Sequence, residues 1–170
     1  VATENALAQD GPIATNLVGS PARVIEYRLA GLSPGAEFVY DVAPIPVGDG
    51  AGDNGLVELQ ALDNVGTFLA MERSWVPGFG NTIRLFETST VGATNVSGWG
   101  SIMADPYAAM SKELVYDFVD TGEGLDNFEG MAFGPMLPDG RYSLVAVSDN
   151  NFNYKLQDTK FFAFAVELDK

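Results

Sequence analysis

Glu37-Phe-Val-Tyr-Asp-Val42 returns 76 positions later as Glu113-Leu-Val-Tyr-Asp-Phe118, and this echo decides how the chain is read. In both copies a glutamate precedes three apolar or aromatic residues, an aspartate and a further apolar residue, a β-rich run of strand length. A second echo joins Val1-Ala-Thr-Glu-Asn5, Leu69-Ala-Met-Glu-Arg73 and Val145-Ala-Val-Ser-Asp-Asn150, where an apolar strand runs into a carboxylate and a polar loop. A third joins Asp53-Asn54 to Asp126-Asn127, each opening a strand that soon carries a glutamate, Glu58 or Glu129. The three echoes keep one order along the chain, which isolated chance matches would not do.

Outward from these stretches, short β-rich runs punctuated by Gly, Pro, Asn and Asp continue, and helical periodicity is almost absent. Arg23–Leu29, Thr82–Phe86, Tyr142–Val147 and Lys160–Val166 read as further strands. Only Asp105-Pro-Tyr-Ala-Ala-Met-Ser111 suggests a helical turn, with Asp105 as cap and Pro106 at the first position. The fold class is therefore all-β.

The echoes assemble into a four-strand unit, a to d. The middle copy is complete, with strands near 56–62, 66–72, 81–87 and 112–119. The first copy has b (1–4), c (22–29) and d (37–42); the last has a (128–133), b (141–148) and c (160–167). Repeated four-stranded antiparallel sheets are the signature of a β-propeller. On this reading the chain is about two and a half blades of a larger ring. A partial blade covers 1–50, a complete one 51–120 and a second partial one 121–170, with a Gly-rich insertion at 88–111. A self-contained β-sandwich of ten strands is the competing architecture. A broken ring exposes strand edges, so the expected partner is the missing N-terminal half of the propeller or another copy of the chain.

Composition narrows the chemistry. The 170 residues carry 23 acidic and 9 basic side chains, a formal net charge of -14, which argues against nucleic acid and anionic membrane surfaces as partners. The longest apolar runs, such as Phe161–Val166, are strand-length and too short to insert in a membrane as a helix. There are no cysteines and no histidines. That excludes disulfides, thiolate zinc sites, Ser–His triads and HExxH metalloproteases. What remains is chemistry run by carboxylates, amides, hydroxyls, Arg or Lys, with a hard cation.

In a blade the start of strand a and the end of strand b lie on one face. This places Asp53, Asn54, Asp126 and Asn127 with Glu4, Glu72 and Asp149 on a single rim, and brings Glu58 and Glu129 near the central channel. Crowded carboxylates repel unless a cation neutralises them. The expected metal ligands are Glu4, Glu58, Asp126, Asn127, Glu129 and Asp149, holding calcium first and magnesium second. Arg73 is placed to hold a phosphate or carboxylate of a ligand through its planar fork; in a phosphoester hydrolase Glu129 or Glu72 would orient or deprotonate a water and Arg73 would offset developing charge. The plain alternatives are turn residues for the acids, an ion pair with Glu72 or a neighbouring acid for Arg73, and core packing for Trp75 and Phe152. Asp63-Asn64 and Asp139-Gly140 read as ordinary hairpin turns.

Three motifs carry a resemblance: Asp126-Asn-Phe-Glu-Gly-Met-Ala-Phe-Gly-Pro135, Leu137-Pro-Asp-Gly-Arg141 and Val147-Ser-Asp-Asn-Asn-Phe152. Glu58-Leu-Gln-Ala-Leu62, Met71-Glu-Arg-Ser74, Gly80-Asn-Thr-Ile-Arg-Leu85 and Glu4-Asn-Ala-Leu-Ala-Gln-Asp-Gly11 extend it over nearly the whole chain. In these the sequence resembles the phytase-like, esterase-like family of bacterial β-propeller domains. The resemblance implies the C-terminal half of a six-bladed type of ring and a calcium-supported phosphoester hydrolase acting on a small phosphate ester. It also implies an extracellular, periplasmic or cell-surface location, in keeping with the acidic, cysteine-free composition. Asn150 stands where the family pattern usually has a second Asp, which removes one charge from the expected cation site. The opposing expectation is a non-catalytic, cation-stabilised binding or structural module.

Overall fold

The computed structural model describes residues 1–48 and 51–168. Among these described residues nine strands are formed: β1 (Ser20–Arg28), β2 (Ser33–Val42), β3 (Asp53–Ala61), β4 (Thr67–Val76), β5 (Gly80–Ser89), β6 (Ser111–Asp117), β7 (Phe128–Met136), β8 (Tyr142–Ser148) and β9 (Phe161–Val166). They make three antiparallel sheets, β1-β2, β3-β4-β5-β6 and β7-β8-β9, each in sequence order. The chain is all-β.

The opening echo corresponds to one position in two sheets. Glu37–Val42 ends β2, the last strand of the first sheet, and Glu113–Asp117 forms most of β6, the last strand of the second. The strand expected over 1–4 is reduced to a single bridge, Ala2 to Val24, with Thr3 N donating to Arg23 O (2.9 Å) and Ile25 N to Val1 O (2.7 Å). It lies beside β1, as its place in the unit requires. Among the described residues this leaves nine strands where ten were expected.

Alternation within β4 explains how the sheets stack. Successive side chains of a strand point to opposite faces. Ala70 joins the apolar cluster that holds Val24, Tyr40 and Val42 of the first sheet. Leu69 and Met71 join the cluster that holds Phe128, Leu144 and Ala146 of the third. The second sheet is thus covered on both faces. Phe118, fully buried, packs its ring against Phe128 (5.4 Å), Phe164 (5.1 Å) and Phe162 (5.9 Å). Burying such a side chain stabilises the fold by roughly 1.5–3 kcal/mol.

The helical turn expected at 105–111 does not form. Thr94 N donates to Ala108 O (2.8 Å) and Met110 N to Val39 O (2.8 Å), so the segment's backbone is used across the chain and not along a helix. The one helical turn among the described residues is 3₁₀, Phe118–Thr121, capped by the Asp117 carboxylate on Val119 N. The segment 90–110 instead covers the outer edge of β2. Val96 N donates to Glu37 O (2.7 Å), and Val96 and Ile102 pack on Val39. A buried ion pair fastens it: the Arg23 guanidinium donates to both Asp10 oxygens (2.5 and 2.7 Å) and to Trp99 O, and Asp10 accepts Ile102 N (3.1 Å).

Candidate functional site

The acids were expected to meet where strands a begin and strands b end, and register places several of them there. Asp53 pairs with Trp75 and Asn54 with Ser74 at one end of the second sheet. In the third sheet Asp149 N donates to Asn127 O (2.9 Å) at the corresponding end. Arg73 joins three segments at this rim. Its guanidinium reaches Asp53 at 2.9 Å, Glu129 at 3.5 Å and Glu4 at 3.6 Å. The carboxylates therefore gather around an arginine, and its partners are neighbouring acids rather than Glu72.

Two backbone features bring these groups together. A β-bulge between Phe128 and Gly130 leaves Glu129 unpaired in the ladder and turns it towards β4. Gly55, opposite Arg73 in the register, has no side chain, and Glu4 occupies that space: a Cβ built there would lie 2.5 Å from Glu4 Cγ. Arg73 is largely buried, with 13% of its side chain exposed, and Nε has no hydrogen-bond partner among the described residues. One guanidinium faces three carboxylates, so the rim keeps an excess of negative charge.

Beside Glu129 is a shallow hollow of about 360 Å³, lined by Glu129, Gly130, Val147, Ser148 and Asp149. Asp149 accepts Asn151 N (2.9 Å) and begins an exposed loop in which Asn151 and Phe152 have positive φ. Asp126 holds that loop from beneath, accepting Asp158 N at 2.7 Å and Asn127 N at 2.8 Å. Asn127 donates to Asp149 O (3.4 Å). Glu58 does not reach the group around Arg73; its carboxylate accepts the amide of Leu59 (2.9 Å), beyond the bulge of β3. Trp75 (46% exposed) and Phe152 (95% exposed) are on the surface, a correction to the expectation that they pack in the core. The larger cavity, about 730 Å³ and mostly apolar, lies between the second and third sheets at the opposite end of the strands.

Glu72 adjoins Arg73 in sequence and faces the other way. Its side chain is fully buried and surrounded by donors: Tyr40 Oη (2.9 Å), Ala43 N (3.1 Å), Asn54 Nδ2 (3.1 Å), Arg84 (3.5 Å) and Lys112. Lys112 Nζ also lies 4.2 Å from the Phe86 ring centroid and 4.7 Å from that of Tyr40. Burial, then the Glu72 charge, pushes the Tyr40 hydroxyl far above the usual tyrosine value. Burial draws the Lys112 amine down, against the pull of Glu72. This polar group ties the first sheet to the second, and none of its members lines the hollow. The sequence showed each of these residues but not their convergence, because Tyr40, Glu72 and Lys112 come from three separate strands.

For a cation, the donor chemistry is suitable in kind: Glu129 and Asp149 offer carboxylate oxygens at the hollow. The number is small. Among the described residues no three Asp or Glu side chains converge as a metal cradle.

The family model for phytase-like proteins, described as esterase-like activity of phytase, matches residues 1–152. The chain belongs to this family. Neither the curated proteins nor the solved structures contain a match to it.

Proposed function

We propose that this chain is part of a phytase-like propeller, about two and a half blades of a six-bladed ring, whose rim hydrolyses small phosphate esters. The observation that carries the chemistry is the bulged Glu129, held by Arg73 at the edge of an open hollow that Asp149 also lines. Family membership supports a reaction of the esterase-like or phosphatase-like class. The three sheets in sequence order, with the middle one covered on both faces, support the propeller.

In this reading Glu129 takes a proton from a water in the hollow. The water oxygen then bonds to phosphorus, the ester oxygen–phosphorus bond breaks, and the leaving alkoxide receives a proton from solvent. Arg73 fixes the Glu129 carboxylate and offsets charge that develops beside it. Glu129 and Asp149 would hold calcium, or magnesium as second choice; the cation would supply Lewis acidity towards a phosphoryl oxygen. Asp126 and Asn127 position the Asp149 loop, and Glu72 maintains the sheet that carries Arg73. An exported or surface location accompanies the family reading.

One observation favours the opposing role of a non-catalytic module. Arg73 is already engaged by three carboxylates, as in a fastening between segments. The test is hydrolysis of p-nitrophenyl phosphate by the folded chain, with calcium and with chelator, alongside a calorimetric calcium titration. Expected are calcium-dependent turnover and saturable calcium binding, both reduced at least tenfold in Glu129→Gln without a change in melting temperature. Turnover that survives both Glu129→Gln and Asp149→Asn, or a folded parent that binds no calcium and turns nothing over, sinks the hydrolase reading.

A further inference from the structure

Arg73 and Glu129 meet at the rim between the second and third sheets, and Trp75 is the next outward position on that face of β4. Side chains two apart on a strand share a face. Leu69 and Met71 of β4 pack into the cluster shared with the third sheet, and Arg73 reaches Glu129 of β7 from the same face. Trp75 continues this row, roughly 7 Å beyond Arg73. Leu69 and Met71 are buried and Arg73 largely so, whereas Trp75 is 46% exposed. The second sheet is covered on both faces, so this exposure arises where neighbouring sheets are present on either side.

The backbone beneath the indole is held from two directions. One oxygen of Asp53 accepts both Trp75 N (3.0 Å) and a guanidinium N–H of Arg73 (2.9 Å), so a single carboxylate ties the two residues together. Gly52 abuts the strand from the preceding loop, where a Cβ would lie 2.3 Å from Trp75 O. Val76, buried on the opposite face, packs against Gly48 of that loop. A tryptophan fixed at its backbone and open at its ring offers a large contact surface at little cost in conformational freedom.

From this juxtaposition we infer that Trp75 is the platform for the organic part of the substrate, and that the substrate is a phosphate monoester whose alcohol carries an aromatic ring, an inference that rests on the hydrolase reading of the rim. With the phosphate at Glu129, the organic group extends past Arg73 towards the end of β4, where the indole face offers offset stacking. The neighbours favour an aromatic ring over an aliphatic chain. Such a ring has a positive edge, and the Asp53 carboxylate stands beside the indole to meet it. Glu4, Asp53 and Glu129 outnumber Arg73, so the same rim disfavours a second anionic group on the substrate.

The experiment compares benzyl phosphate with butyl phosphate on the full chain with calcium present, two esters whose leaving alkoxides are of similar basicity. The parent is expected to favour benzyl phosphate about tenfold in kcat/KM. Trp75→Ala is expected to bring that ratio close to one by raising KM for benzyl phosphate, and Trp75→Phe to keep most of it, both at the melting temperature of the parent. Binding is read apart from turnover. Trp99→Phe leaves Trp75 the sole tryptophan, whose fluorescence phenylphosphonate is expected to quench saturably and butylphosphonate about tenfold more weakly. Turnover of neither ester with this quenching intact defeats the hydrolase reading alone and upholds Trp75 as the ring platform. Equal kcat/KM for the two esters in the parent, a ratio that survives Trp75→Ala, or no quenching by phenylphosphonate overturns the role of Trp75.

Discussion

Replacing Glu72 by Gln tests whether its carboxylate serves the fold or the chemistry. Both oxygens accept from donors: Oε1 from Tyr40, Ala43 and Lys112, and Oε2 from Asn54, Ala43 and Arg84. Whichever way a glutamine amide is turned, its NH2 faces groups that can only donate, or whose hydroxyl must turn over. The substitution also leaves Lys112 and Arg84 without their shared counter-charge in a buried setting. Breaking a buried pair from one side costs about 3–5 kcal/mol. For a chain of this size each kcal/mol shifts the melting temperature by about 2–4 °C. A fall of roughly 10 °C is therefore expected at pH 7, followed by circular dichroism with calorimetry as a check on two-state melting. Adding Lys112→Met removes one stranded charge and is expected to recover part of the loss. A melting temperature within about 2 °C of the parent would refute the reasoning, because it corresponds to less than about 1 kcal/mol. If turnover were lost at that unchanged stability, Glu72 would return to the catalytic role expected of it from sequence.

Tyr40 gives stability an alkaline limit. The native state keeps its hydroxyl protonated well above the ordinary value of 10.0, while the unfolded chain releases the proton near that value. The native state then binds more protons, so this contribution to stability is lost as pH rises through 10. Tyr40→Phe is expected to flatten the fall in denaturant midpoint between pH 9 and 11, on the order of the window set by an unperturbed tyrosine. An unchanged slope would count against the buried hydroxyl as its cause. Asp10→Asn removes the closer of the two carboxylates that pair with buried Arg23, Glu37 remaining at 3.4 Å, and should cost about 3 kcal/mol, the low end for a buried pair broken from one side. The Arg23 guanidinium beside Asp10 holds its carboxyl below the usual 3.8. The stability it contributes is therefore present above that pH and lost as pH falls below it. Hydrogen exchange should show faster opening of the segment around Trp99 and Ile102, and unchanged rates there would disprove the fastening role.

Strand identity and order could be read from the chain because a β-strand's period of two, and the turn residues between strands, are local properties. Asp63 illustrates this: it was read as a turn residue, and its carboxylate accepts the amides of Val65, Gly66 and Thr67, each at 2.9 Å. Those hydrogen bonds hold its pKa at about 2. The repeat of Glu37–Val42 at Glu113–Phe118 likewise gave the position of both strands in their sheets. The segment 90–110 was legible only as an insertion, because its partners, Glu37, Val39 and Asp10, are distant in sequence.

The site divides along the same line. Sequence alone determined that acids and one arginine gather at the ends of particular strands, since repeats preserve position within a sheet. It could not assign faces. Glu72 and Arg73 are consecutive, yet one is enclosed by donors from the first sheet and the other meets acids at the rim. Strand alternation separates the two, and only the stacking of sheets decides what each face meets. The bulge that frees Glu129 is a similar case, because an extra residue in one strand is defined by the ladder opposite it. Tertiary structure therefore settled which charges are buried and which are open to a ligand, the property on which any chemistry at this rim depends.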